Sequence, residues 1–81
     1  MIIVNVEIPM LGKNMDFRID EMSSVAEIKA AIAETIHESG EARLVQDRNG
    51  YFLWDKSGRL LDVNRTGAEN GLASGSSLVF A

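Results

Sequence analysis

The stretch at residues 23 to 36, SSVAEIKAAIAETI, decides the fold predicted for this chain. Ser24 followed three residues later by Glu27 is a capping box, in which the serine hydroxyl accepts a hydrogen bond from the Glu27 amide. Apolar residues then recur at intervals of three and four, which places them on one side of an α-helix. The pattern predicts one long helix that ends near residues 37 to 40 and needs an apolar surface to cover its stripe, Val25, Ile28, Ile32 and Ile36.

Two alternating runs precede this helix and predict that surface. Residues 2 to 8 alternate apolar and mostly polar side chains, and residues 15 to 19 do the same. Alternation is typical of half-buried strands, and Pro9 and Gly12 between the runs favour a turn. We therefore expect a β-hairpin that leads directly into the helix, with its inward face formed by Ile2, Val4, Val6, Ile8, Met15, Phe17 and Ile19.

The second half of the chain predicts shorter elements. Residues 41 to 47 could form another helical turn, but the pattern is too short to decide, and this segment is left open. Residues 51 to 54 and 59 to 61 read as two short strands joined by a turn, and Thr66 with Glu69 is a second capping box, typical of a single helical turn. A final strand at residues 76 to 80 is expected to point Leu78 and Phe80 inward.

Composition narrows the classes of function. The chain of 81 residues is expected to form a single domain, residues 1 to 81. It contains no cysteine, which excludes thiol chemistry and cysteine-ligated metals. A formal net charge of -4 without a basic cluster makes nucleic acid and anionic membranes poor partners. The apolar N-terminal run is too short for a membrane span and lacks signal-peptide features, so a cytoplasmic protein is expected.

The residues that could carry chemistry are better explained by structure. His37, the one histidine, falls at the predicted helix end, and carboxylates such as Asp20 and Glu21 lie beside turns, where they usually cap and solubilise. Gly12, Gly58 and Gly75 belong to turns rather than to a phosphate loop. We expect no enzymatic activity, no metal and no cofactor.

The order strand, strand, long helix, two short strands, one-turn helix and strand resembles the ubiquitin-like β-grasp fold. Met-Leu-Gly-Lys at residues 10 to 13 resembles ubiquitin's first loop, and Gly-Arg-Leu-Leu-Asp at residues 58 to 62 runs in step with its Gly-Lys-Gln-Leu-Glu. The resemblance covers nearly the whole chain. It implies an α+β fold in which a mixed four- to five-stranded sheet packs on one long helix, in the order ββαββ, short helix, β.

Within that superfamily the chain resembles the YukD/EsaB group associated with bacterial type VII (Esx) secretion. The similarity lies in the opening MIIVNV, in FRID at residues 17 to 20, and in the ending from residue 61 with its Thr66 and ENGLASG. The resemblance implies an accessory or regulatory cytoplasmic component that binds protein partners. Gly67 departs from the pattern, because a leucine in that place would pack beneath the short helix, and its absence suggests a looser segment at residues 66 to 71.

Two alternatives belong to other classes of function. Ubiquitin-like modifiers and sulfur carriers resemble this chain in fold but need an exposed C-terminal Gly-Gly, whereas the sequence ends Phe80-Ala81. A carrier or modifier is therefore disfavoured. A structural subunit that forms a homodimer stays open.

The turn at residues 55 to 58 decides which side chains of the second hairpin face outward. If Trp54 pairs with Arg59 across it, Leu53 lies opposite Leu60, and facing residues share a side of the sheet. By the same register Phe52 lies opposite Leu61.

Leu61 matches a leucine that points inward in ubiquitin, so the resemblance places Phe52 inside and Leu53 outside. The predicted partner-binding surface consists of Met10, Leu53, Leu60 and Val79, and its position resembles that of ubiquitin's interaction patch. Exposed aliphatic residues are common on small sheets, so the alternative is that this surface has no function.

Overall fold

The computed structural model describes residues 1–38 and 51–81. The elements are β1 (Ile2–Ile8), a 3₁₀ helix (Pro9–Leu11), β2 (Lys13–Ile19), α1 (Val25–Glu38), β3 (Leu53–Asp55), a 3₁₀ helix (Ala68–Asn70) and β4 (Ser77–Phe80). The four strands form one sheet in the order β2-β1-β4-β3, where β1 is antiparallel to β2 and parallel to β4, and β3 is antiparallel to β4. One long helix follows the first hairpin, as a β-grasp requires, so the predicted α+β fold is confirmed.

The core lies between α1 and the inner face of the sheet. The predicted helical stripe is buried along its whole length, and Ile32 at its centre is fully inaccessible. The inward faces of β1 and β2 are confirmed too, with Ile2 and Met15 partly buried at the margin. The buried apolar residues are Val4, Val6, Ile8, Phe17, Ile19, Val25, Ile28, Ile32, Ala33, Ile36, Leu53, Leu61, Leu72, Leu78 and Phe80.

The start of α1 is fixed by its cap. The Glu27 amide donates to Ser24 Oγ at 3.2 Å, which satisfies one of the amides that a first helical turn leaves unpaired. The Val25 amide also donates to the Arg65 carbonyl at 2.9 Å, so the later chain holds the helix start. Residues 39 to 50 lie outside the described residues, and with them lies the segment at 41 to 47 that the sequence left open.

The short helix is held more firmly than the missing leucine suggested. Thr66 and Glu69 form the capping box in both directions, since the Thr66 amide donates to Glu69 Oε1 and the Glu69 amide donates to Thr66 Oγ1, each at 3.0 Å. Gly67 is buried, and its amide donates to the Ser23 carbonyl at 3.0 Å. A Cβ on Gly67 would lie 3.2 Å from Ile28 Cδ1. The expectation of a loose segment was wrong: glycine lets this backbone approach the helix closely.

The predicted register of the second hairpin was wrong by one residue. Trp54 faces Leu60 rather than Arg59, because Asp55 remains in the ladder and its amide donates to the Arg59 carbonyl at 2.9 Å. The loop therefore has three residues, and Gly58 takes the left-handed conformation (φ +88°) that such loops need. Leu60 contributes one isolated bridge, so the described sheet has four strands.

This change of register reverses the faces of two neighbouring side chains. Leu53, predicted to point outward, is 2% exposed and packs in the core, and its carbonyl accepts a hydrogen bond from the Leu61 amide at 3.0 Å. Phe52, predicted to point inward, is 40% exposed. A shift of one residue always moves a strand's side chains to opposite faces.

Within residues 1–38 and 51–81, no helix combines the length and the apolar character needed to cross a bilayer.

Candidate functional site

The partner-binding surface predicted from the sequence lies in part on the outer face of the sheet, the face turned away from α1. Strand pairing places Trp54 directly opposite Val79, and the bridge from Trp54 to Leu60 adds a third apolar side chain to the same face. We call these three residues, Trp54, Leu60 and Val79, the outer patch. Leu60 is 48% exposed, while Trp54 and Val79 are half-buried.

Only part of the predicted surface comes together in the outer patch. Leu60 and Val79 belong to it, whereas Leu53 is in the core. Met10 is exposed as predicted, but its Sδ accepts a hydrogen bond from Tyr51 Oη at 3.1 Å. Met10 therefore stands beside the chain that enters β3 and is not joined to the outer patch by strand pairing.

Trp54 is the residue of the outer patch that the sequence prediction missed. Its face follows from Asp55, which reads as a turn residue but forms the last pair of β3, with Leu78. A signal was present in the sequence: Asp55 is followed by Ser57 and Gly58, the arrangement of an aspartate that closes a short loop with its side chain.

The Asp55 carboxylate organises the loop below the outer patch. Its Oδ1 accepts hydrogen bonds from Ser57 Oγ at 2.6 Å and from the amides of Ser57 and Arg59, each at 2.9 Å. The Ser57 hydroxyl first, and then the Arg59 amide, hold the pKa of the Asp55 carboxyl below its ordinary value. The ionised form of Asp55 therefore holds these loop groups more strongly than the protonated form would.

Charged side chains form the rim of the outer patch. Glu7 is the strand partner of Val79, and its Oε1 lies 3.1 Å from Lys56 Nζ. On the neighbouring loop, Arg59 Nε lies 3.2 Å from Asp55 Oδ2. Solvent screens exposed pairs of this kind, so they matter more for surface character than for stability. An apolar centre with a polar rim is the usual anatomy of a protein interface.

Phe52 is a further exposed aromatic residue, two positions before Trp54. Lys29 Nζ is 5.4 Å from the centroid of its ring, within reach of a cation–π interaction. Its neighbour Tyr51 instead stacks on Phe80 of the core, with ring centroids 5.0 Å apart. Phe80 is 1% exposed, which confirms its predicted inward position, and Ala81 exchanges main-chain hydrogen bonds with Phe52.

Side chains that could bind a metal ion do not cluster in the part of the chain that the structure describes. There, histidine and acidic side chains form no group of three that could hold a metal ion. His37 is exposed in the last turn of α1, where the sequence predicted it.

Comparisons with known proteins bear on the fold. No family model matches the sequence, and no curated protein matches it. Among solved structures, the UBL domain of Plasmodium falciparum Dsk2 superposes with a TM-score of 0.76 and 19% sequence identity, covering 98% of this chain and 93% of that one. The chain has the ubiquitin-like β-grasp fold. The similarity extends over almost the whole length of both chains.

Proposed function

We propose that this chain is a non-enzymatic ubiquitin-like module that binds a protein partner through the outer patch. The observation that carries the proposal is the exposure of Leu60, 48%, beside Trp54 and Val79 on a sheet whose other face is fully used by the core. The ubiquitin-like fold supports it, because the UBL domain of Dsk2 shares this architecture.

The chemistry of the outer patch suits a partner of mixed character. Tryptophan supplies a large apolar area together with one N–H donor, and it is enriched among the residues that dominate binding energy. The pair of Glu7 and Lys56 at the rim offers both signs of charge for orienting the partner. Met10 is kept as a candidate peripheral contact, and Trp54 takes the place first given to Leu53.

We further propose that the partner belongs to a bacterial type VII secretion system, in which this chain acts as a cytoplasmic accessory or regulatory component. Support comes from the resemblance to the YukD/EsaB group in the opening strand, in residues 17 to 20 and in the ending from residue 61. Genes for small Trp-x-Gly secreted proteins and for an FtsK-like ATPase beside this gene would add to that support.

Gene deletion and complementation test this proposal. We expect a deletion strain to lose secretion of the small Trp-x-Gly proteins, the wild-type gene to restore it, and a Leu60→Asp gene expressed at the same level to fail. Secretion that is unchanged by the deletion would contradict the type VII assignment. Restoration by Leu60→Asp would contradict the role of the outer patch.

A further inference from the structure

The open edge of the sheet suggests an interaction surface separate from the outer patch. In the order β2-β1-β4-β3, the strands at the two edges are β2 and β3. Edge β3 is partly covered, because the Leu53 carbonyl accepts a hydrogen bond from the Leu61 amide and the Asp55 amide donates one to the Arg59 carbonyl. For β2, the described strands pair only on the β1 side.

The backbone groups that β2 turns outward can be assigned from the other side of β1. The Ile3 carbonyl accepts from the Gly75 amide at 2.9 Å and the Asn5 amide donates to Ser76, so the odd residues of β1 face β4. The even residues of β1 therefore bond to their partners on β2, among which is Phe17 opposite Val4. It follows that Asp16 and Arg18 present both their N–H and C=O groups to the open edge.

The charges along this edge are self-complementary. When a second copy of β2 lies antiparallel with its two-fold axis at Phe17, Asp16 of each copy faces Arg18 of the other. These are also the residues whose main-chain groups point outward, so each such pair would exchange both N–H···O bonds. Moving the axis to Asp16 or to Arg18 would place that residue opposite the same residue of the second copy, and the two like charges would repel each other. Both side chains are exposed.

The groove beside β2 favours the same register. A depression of about 280 Å³ runs between the end of β2 and α1, and its apolar lining is Ile19, Ile28 and Ala31. With the axis at Phe17, Met15 of the second copy stands opposite Ile19, on the inner face and next to this groove. Met15 is partly buried in the single chain, and its flexible thioether side chain adapts readily to an irregular apolar surface.

We propose that the chain forms a homodimer by antiparallel pairing of its β2 strands, centred on Phe17, which joins two four-stranded sheets into one. The charges on β2 discourage pairing with other edges and select this register. The interface is small, so the dimer is expected to be weak and to dissociate on dilution. The outer patch stays free on both copies.

Charge exchange between Asp16 and Arg18 tests the proposal by sedimentation over a range of concentrations. The wild-type chain should dimerise at the highest concentrations. Asp16→Lys alone and Arg18→Asp alone should each weaken the dimer roughly tenfold or more, because each change sets like charges opposite each other twice. An equimolar mixture of the two variants should associate again, since every facing pair in the mixed dimer is then of opposite charge.

Two controls separate this surface from the others. Leu60→Asp should dimerise like the wild type, which distinguishes β2 pairing from association through the outer patch. Hydrogen exchange at the Asp16 and Arg18 amides should slow as the concentration rises. A chain that stays monomeric at every concentration, a dimer indifferent to the single charge changes, or a mixture that does not associate would each overturn the proposal.

Discussion

At the scale of single residues, one carboxylate decides which side chains reach the outer patch. Asp55 stays in the ladder of β3 and closes a three-residue loop through bonds to Ser57 and Arg59. With an odd loop length, Trp54 rather than Leu53 shares a face with Leu60. The signal in Asp55, Ser57 and Gly58 was not decisive, because residues 55 to 58 read equally well as a four-residue turn.

Leu53 and Phe52 give a direct check of that register. Leu53→Ala should lower the free energy of unfolding by about 2 to 5 kcal/mol, because it empties a fully packed position. Phe52→Ala should cost well under that, since the ring is 40% exposed and contacts the Lys29 ammonium group at 5.4 Å from the ring centroid. Chemical denaturation measures both. Equal losses, or a larger loss for Phe52, would restore the register first predicted from the sequence.

Gly67 supports a prediction that runs against the family pattern. Gly67→Leu should destabilise the chain by about 1 to 3 kcal/mol through overpacking, because its Cβ would lie 3.2 Å from Ile28 Cδ1 and 3.3 Å from the Glu21 carbonyl oxygen. The neighbouring Ala68→Leu is the matched control, as Ala68 is exposed and should tolerate the same side chain. A Gly67→Leu chain at least as stable as wild type would show that the close approach is unnecessary.

At the scale of elements, capping residues and short-range periodicity were sufficient to predict the two helices that they define. The Ser24 cap and the stripe of α1 were predicted because side-chain periodicity and capping act within a few residues. The turn at Thr66 was predicted for the same reason, and both halves of its box are formed. Gly67 was misjudged because its value lies in a contact with Ile28, which is distant in sequence.

The hydrogen-bonded carboxylates of Asp55 and Glu69 should make the stability of the chain depend on pH. The Thr66 amide holds the pKa of Glu69 below its ordinary 4.5, and the Ser57 hydroxyl does the same for Asp55, whose ordinary value is 3.8. Because the folded pKa is the lower one, the unfolded chain binds more protons in this range. The stabilisation is therefore complete at pH values above the ordinary pKa values, and it is lost as pH falls through the lowered pKa values of the folded chain.

Denaturation midpoints measured near pH 7 and near pH 3 check this sign. The double variant Asp55→Asn with Glu69→Gln should be less stable than wild type at the higher pH and should lose less stability on acidification. A variant that keeps the full acid dependence of the wild type would show that other carboxyl groups are responsible.

At the scale of the whole molecule, the two faces of the sheet and its β2 edge differ in character. The inner face packs in the core, the outer face carries the outer patch, and the β2 edge carries the self-complementary charges. The sequence predicted the fold because the order of its elements resembles that of a β-grasp and the periodicity of β1, β2 and α1 is clear, and it placed Leu60 and Val79 on the outer face correctly. Trp54 escaped prediction because facing pairs between strands depend on loop length, which is a property of the assembled sheet.

The binding of a purified partner to Leu60→Asp tests the central claim most directly. The partner would first be captured from the source organism, identified and purified, and its affinity measured by calorimetry for wild type, Leu60→Asp and Met22→Asp. Met22 is the matched control, because it is 68% exposed and apolar but lies outside the outer patch. We predict that all three chains melt alike, that Met22→Asp binds like wild type, and that Leu60→Asp binds roughly tenfold more weakly or worse, a difference of about 1.4 kcal/mol or more. A folded Leu60→Asp chain that binds as tightly as wild type would contradict the account.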